Sequence, residues 1–495
     1  TSGANSTALG YQAGKAITTA SNSTFIGYNA GQEHVTGDSN TAIGTNAMYD
    51  SNGVAGYHNT FLGVNSGAGG WTTSAPTYNV GIGNFTLDGA MNGANNNVAL
   101  GYSALGAVTT GHSNVGLGSN ALDAVTLGHS NVGIGRGAGG ALTTGTSNVA
   151  IGSNALDELE SGSNNVAIGK NSINQNTVVS NVVAIGHESM GGVDNANGIQ
   201  SVVAIGRNAL YGAVGTTTNI NGTIAIGRGT LESLTTGAGN TAVGYESLKA
   251  LTTGTGNTVL GYQALIGHVG GQYNTAIGWK AMDDTDSGGN AYNSNNNVAI
   301  GANALGGTWE SLTTEFNVAV GNNTMSGSVS GATQNTAIGH GALAGITSGD
   351  SNVAIGYQAM DAGTTINNSI AIGKDAMGAV PAGQAVEYAV AIGVDAMKGG
   401  ASTTAGINGN IAIGYGAGKS LTTGGNNTFV GYSSADELLT GEKNTCLGRH
   451  SLNNADGDED DNTCIGYLSG TTIDDGNNNT LLGSTTDVST AAATG

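Results

Sequence analysis

The chain has 495 residues, with 12 Lys and Arg against 33 Asp and Glu, a net charge of −21 and only 9% charged residues in all. That balance excludes a protein that grips nucleic-acid phosphates or an anionic membrane surface, since both need clustered cations. No apolar run approaches the ~18–20 residues of a membrane-spanning helix, and two cysteines make no disulfide framework.

Abundant Gly with few aromatics and two Pro would also suit a disordered chain. Position argues otherwise. From Thr7-Ala8-Leu9-Gly10 to Thr480-Leu481-Leu482-Gly483 one short motif recurs 27 times, typified by Asn148-Val149-Ala150-Ile151-Gly152. Of the 26 gaps between successive motif glycines, 15 are 17 residues and the other 11 run from 18 to 23. A minimum period with additions only marks a solenoid, whose coil can bulge outward but cannot lose a side. The chain reads as an all-β parallel β-solenoid of about 27 coils, continuous over 1–483, with an irregular tail at 484–495. No signal peptide is visible, and a chain that starts at Thr1 reads as processed, trimmed or a fragment.

Within each motif the residue before the glycine is Ile, Leu or Val in all 27 copies, and the residue two places earlier is always Thr, Val or Ile. β-Branched residues at alternate positions, bounded by Asn and Gly, predict a short strand. The two aliphatic phases are expected to share one side, pointing into the coil. The residue between them is Ala in most copies, but Phe25, Phe61, Phe429, Cys446 and Cys464 in some. It would then face outward, and an apolar outer phase implies a second chain packed closely against it.

After the glycine, Ala, Ser or Thr at the third place suggests a tight corner. The fourth place, which holds seven of the eight Met, suggests an inward plug. Leu142-Thr143-Thr144-Gly145 and its equivalents at 234–237, 251–254 and 421–424 predict a second strand. Four places before the glycine, Asn in 20 of 27 copies predicts either an axial side-chain ladder or support for its own turn. Longer coils cluster at 44–101, 186–227, 278–339 and 373–414. Their additions, Asp283-Asp284-Thr285-Asp286-Ser287-Gly288-Gly289 among them, are expected in loops on one face.

The pattern of Asn274-Thr275-Ala276-Ile277-Gly278-Trp279-Lys280-Ala281 resembles the head repeats of YadA-like trimeric autotransporter adhesins and is similar to β-roll segments of bacteriophage tail fibres. It covers essentially all of 1–483, although the adhesin head repeat is a little shorter. The resemblance implies a left-handed parallel β-roll, with three chains side by side and the Ala-Ile-Gly strand toward the threefold axis. It also implies an extracellular place, on a virion tail or a bacterial surface.

The first position after the glycine carries Tyr11, Tyr28, Tyr102, Tyr245, Tyr262, Trp279, Tyr357, Tyr415, Tyr432 and Tyr467, along with six of the 12 basic residues. Such a stripe can stack on sugar rings and set cations against acidic glycans. The same long side chains can equally cover a coil edge or a seam between chains. Asp456, Asp458, Asp460 and Asp461 form the densest acidic run, a Ca²⁺ candidate by its alternating carboxylates but without EF-hand spacing, and as readily a solvated loop. Cys446 and Cys464 share a phase of adjacent coils and should stack, as a disulfide or as two buried thiols. His112 and His129, 17 apart, should stack too.

No nucleophile–base arrangement or phosphate loop is written in the sequence, so neither an enzyme nor a cofactor is expected. A grafted hydrolytic site would show as paired carboxylates ~5–9 Å apart in a groove. The expected function is a structural and adhesive fibre, a homotrimer touching host or surface glycans through loops or tip, with no nucleic-acid partner and no membrane insertion in this segment. The alternative is a monomeric β-solenoid binder, such as an ice-binding protein that presents its Thr-Thr pairs as a flat ladder.

Overall fold

A three-residue strand between Asn and Gly is too short to stand alone, and it closes its hydrogen bonds on its own copy one coil away. The computed structural model describes residues 4–193, 198–212, 217–283, 294–309, 312–380, 385–399, 406–455, 457–473 and 476–487, and among them holds strands and turns but no helix. They fall into two units, Thr1–Val243 and Gly244–Gly495. Among the described residues of the first, 14 motif strands from Thr7–Leu9 to Thr241–Val243 each pair in parallel with the next along the chain. The second unit repeats this with 13, from Thr258–Leu260 to Thr480–Leu482. Both are parallel β-solenoids, about 26 turns in all.

Pairing runs phase to phase, with Val115 facing Val132, Gly116 facing Gly133 and Leu117 facing Ile134. The longest coil leaves it unchanged: Thr275 faces Val298 and Ala276 faces Ala299. Extra residues therefore leave the register alone. Of the predicted insertion at 283–289, residues 284–289 lie outside the described residues, as do 488–495 of the tail.

The strand turns inward the residue that was expected outside. The middle residues Ala42, Phe61, Ala150, Phe429 and Cys446 are buried, while their two aliphatic neighbours are half-buried or exposed. Leu100 is 47% and Leu447 48% exposed. The reason lies in the corner. Residues two and four places past the glycine are left-handed, as at Asn154 (φ 57°) and Leu156 (φ 55°), and the Leu or Met of the fourth place is buried in the coil interior. That plug, not another chain, is what the small middle residue approaches. A Cβ on Gly133 would stand 2.7 Å from Leu122 Cγ. Where the middle residue is Phe25 or Phe61, the plug shrinks to Gly31 or Gly67, whose Cβ would fall 2.3 and 2.8 Å from the ring.

The expected second strand is, in most coils, an irregular arch. Thr126 and Thr143 donate their N–H to Thr143 O and Glu160 O one coil on. The Thr143 hydroxyl donates to that same Glu160 carbonyl, at 3.0 Å, so side chain and backbone share one acceptor where a ladder would alternate. Among the described residues a paired second strand forms at Thr365–Asn367 with Ala385–Glu387.

Of the two roles open to the recurring Asn, the axial ladder is built. From Asn40 to Asn148 and from Asn257 to Asn335, each Oδ1 accepts from the next coil's Asn, as when Asn131 donates N–H (3.0 Å) and Nδ2–H (3.1 Å) to Asn114. The other Nδ2 hydrogen of Asn131 goes to Gly145 O at 2.8 Å. The motif glycine is fixed twice over. Gly152 has φ 132°, and a Cβ there would lie 2.6 Å from the carbonyl oxygen of Gly169 on the next coil.

Candidate functional site

Strand alternation carries past the glycine, so the first position after it stands on the same outer face as the aliphatic pair. Tyr11, Tyr28, Tyr102, Tyr262, Trp279, Tyr357, Tyr415, Tyr432 and Tyr467 are exposed there, and Tyr245 is half-buried. Coil spacing brings neighbouring rings face to face. Tyr11 and Tyr28 stack with centroids 5.3 Å apart, Tyr245 and Tyr262 at 5.2 Å, and Tyr415 and Tyr432 at 5.1 Å. Tyr357 stacks on His340, Tyr102 meets Phe85 edge-on, and the Lys280 ammonium lies over Trp279. In the stacked pairs the shared faces are closed to a ligand, and ring edges meet the solvent. Face-on sugar stacking is left to the unshared faces.

Cations enter the same column. Lys374 sits over Tyr357 and pairs with Asp375 at 2.7 Å, which also takes Lys398 at 3.2 Å. The Arg449 guanidinium extends the Tyr415–Tyr432 stack, 5.4 Å from the Tyr432 ring and 6.0 Å from that of Tyr467.

The other candidates are bound into the coils. Asp456 lies outside the described residues. Asp458 accepts from the Thr440 hydroxyl and Asp460 from the Glu442 N–H (2.7 Å), so both serve the preceding coil. Among the described residues no group of three or more His, Cys, Asp or Glu is placed to hold a metal. Cys446 and Cys464 are in-register partners, buried and present as free thiols. Burial pushes the Cys464 thiol up to about 12 and that of Cys446 well above its ordinary value, which keeps both un-ionised at neutral pH. His112 and His129 stack at 4.7 Å, each Nδ1 meeting the hydroxyl of the serine that follows it.

One feature of the corner has no counterpart among the sequence expectations. Five places after the motif glycine, Asp88, Gly106, Asp123, Gly140 and Asp157 follow one another in consecutive coils. Like charges are thereby kept two coils apart, and Asp-Gly alternation at one phase is the signal that marks it. The notch over Gly140, about 440 Å³, is lined by Asn120, Asp123, Arg136, Asn154 and Asp157. Burial raises the carboxyls of Asp123 and Asp157, with Arg136 pulling Asp157 partly back, and lifts Asp88 to about 6. Compared with known proteins, the chain matches no family model and no curated protein.

Proposed function

We propose that this chain is a structural and adhesive segment of an extracellular fibre, on a phage tail or a bacterial surface, assembled as a homotrimer of left-handed β-rolls. The outer strand face carries this reading. In each unit two columns run side by side on it, one of Ile, Leu and Val and one of Val, Ile and Thr, with Val98 and Leu100, Val132 and Ile134, and Ile411 and Ile413 among their members. Monomers rarely leave so long an apolar stripe bare, and three copies facing one axis would cover it. The seam is thus assigned to the Val, Thr, Ile and Leu columns, not to the Ala column, which is interior. Function on this reading is mechanical: buried Asn ladders and coil-to-coil backbone bonds stiffen the fibre, and loops or exposed columns touch surface glycans.

Light scattering on a gel-filtration column tests it. The expected particle is near three times 48.4 kDa, and a monomer would sink the trimer. One observation favours a second reading: Thr7, Thr24, Thr41 and Thr60 form an outward threonine column over four consecutive coils. A monomer that lowers the freezing point without lowering the melting point would bring the ice-binding alternative forward.

A further inference from the structure

Unlike Lys374 in the same column, which pairs with Asp375, Arg449 has no ion pair among the described residues. It is exposed, and its guanidinium lies between the rings of Tyr432 and Tyr467, with Tyr415 extending the stack by a further coil. Rings on both sides contact the guanidinium through its charge without using its N–H groups. Those donors remain as a fork on the outer face, in a chain whose net charge of −21 leaves few such places.

We infer that Arg449, clamped between Tyr432 and Tyr467, is a recognition point for the carboxylate of an acidic sugar. A carboxylate is planar and takes both donors of the fork within that plane. A tetrahedral sulfate or phosphate can place only two of its oxygens in that plane. The phenol hydroxyls on either side supply donors and acceptors for sugar hydroxyls. The protein's remaining negative charge opposes an anionic ligand only within the ~8 Å Debye length of physiological salt. The inference deepens the adhesive reading, rests on it for the choice of a glycan, and requires that Arg449, on the same outer face as the proposed seam, stand at the rim of that seam and not beneath it.

The test is calorimetric titration of the full chain with an oligogalacturonate, a neutral galacto-oligosaccharide of the same length and a sulfated dextran oligomer. Arg449→Lys, Arg449→Gln and Tyr467→Leu follow, each checked for unchanged mass and circular dichroism. The expected result is salt-sensitive binding of the oligogalacturonate in preference to the other two. Binding should weaken about tenfold in Arg449→Lys, which keeps the charge but loses the fork, and vanish in Arg449→Gln. No oligogalacturonate binding, equal binding of the neutral or sulfated oligomer, or full binding by Arg449→Gln would each overturn it. A trimer that ignores oligogalacturonate removes this site and leaves the fibre; a monomer that binds it keeps the site and removes the trimer.

Discussion

Leu and Met crowd the fourth place after the motif glycine because the backbone there is left-handed, at φ 53° in Met48, 55° in Leu156 and 54° in Met282. A second branch at Cβ is strained in that region, and Ile173 is the β-branched residue that tolerates it. An unbranched side chain enters the interior from this backbone and meets the small middle residue of the strand. Leu156→Met should therefore cost less than about 1.5 kcal/mol. Leu156→Val, which loses a methylene and strains the corner, should cost about 2–4 kcal/mol. Guanidinium unfolding of the two variants decides, and equal midpoints would show that the corner sets no such constraint.

In the coil as an element, the buried Asn column couples each turn to the next. Asn131 receives nothing that water could replace: its Oδ1 takes the Asn148 N–H and Nδ2–H, and its Nδ2 serves Asn114 and Gly145. Asn131→Leu strands several buried donors and acceptors at once and should cost about 2–5 kcal/mol. Amide exchange would show the loss concentrated in the neighbouring coils, since a solenoid's stability is a sum over nearest neighbours. Seven places after the glycine, where Val108, Leu142 and Leu251 stand in other coils, His34 and His268 are buried instead. Burial lowers His268 to about 4, with the Ser294 backbone pulling the other way, and it lowers His34 likewise.

A folded-state value below the unfolded one means that the unfolded chain binds the proton first. Stability is then intact above about pH 6.5 and falls as pH drops toward 4, by about 3 kcal/mol for His268 if the full shift applies. Asp88, raised by burial, works in the opposite sense between pH 6 and its ordinary value. Urea unfolding at pH 7 and 4.5 should show acidification to be less favourable to the wild type than to His268→Leu, since the variant lacks the buried imidazole. An unchanged pH dependence in that variant would remove His268 from the account.

For the molecule as a whole, the deciding surface is the outer strand face. Ile134 lies on it, in register with Leu117 and Ile151 and outside the coil. On the proposed trimer, Ile134→Asp should leave the circular dichroism unchanged and lower the solution mass toward that of a monomer. An unchanged trimer would place the seam elsewhere. Tyr415, Tyr432, Arg449 and Tyr467 share that outer face, so the proposed trimer would set this column at or beside its seam.

Period, strand, corner and Asn column are all legible in the sequence, since stacked coils repeat one local choice at the same phase from turn to turn. The phase of the aromatic stripe is legible for the same reason. Which strand face is inner is not: Val149, Ala150 and Ile151 are all apolar, and the Thr that stands at the phase of Val149 in other coils is explained as well by β-branched strand propensity as by exposure. That was decided by the left-handed corner, which places a Leu or Met opposite the middle residue. The Phe25–Gly31 and Phe61–Gly67 exchange was a written trace of it. The Thr-Thr segments look like strand by propensity, yet the Thr143 hydroxyl takes the carbonyl that a ladder would use differently. The closing of Tyr faces against one another, and of two rings around Arg449, depends on coil spacing and register, which exist only once the chain has wound upon itself.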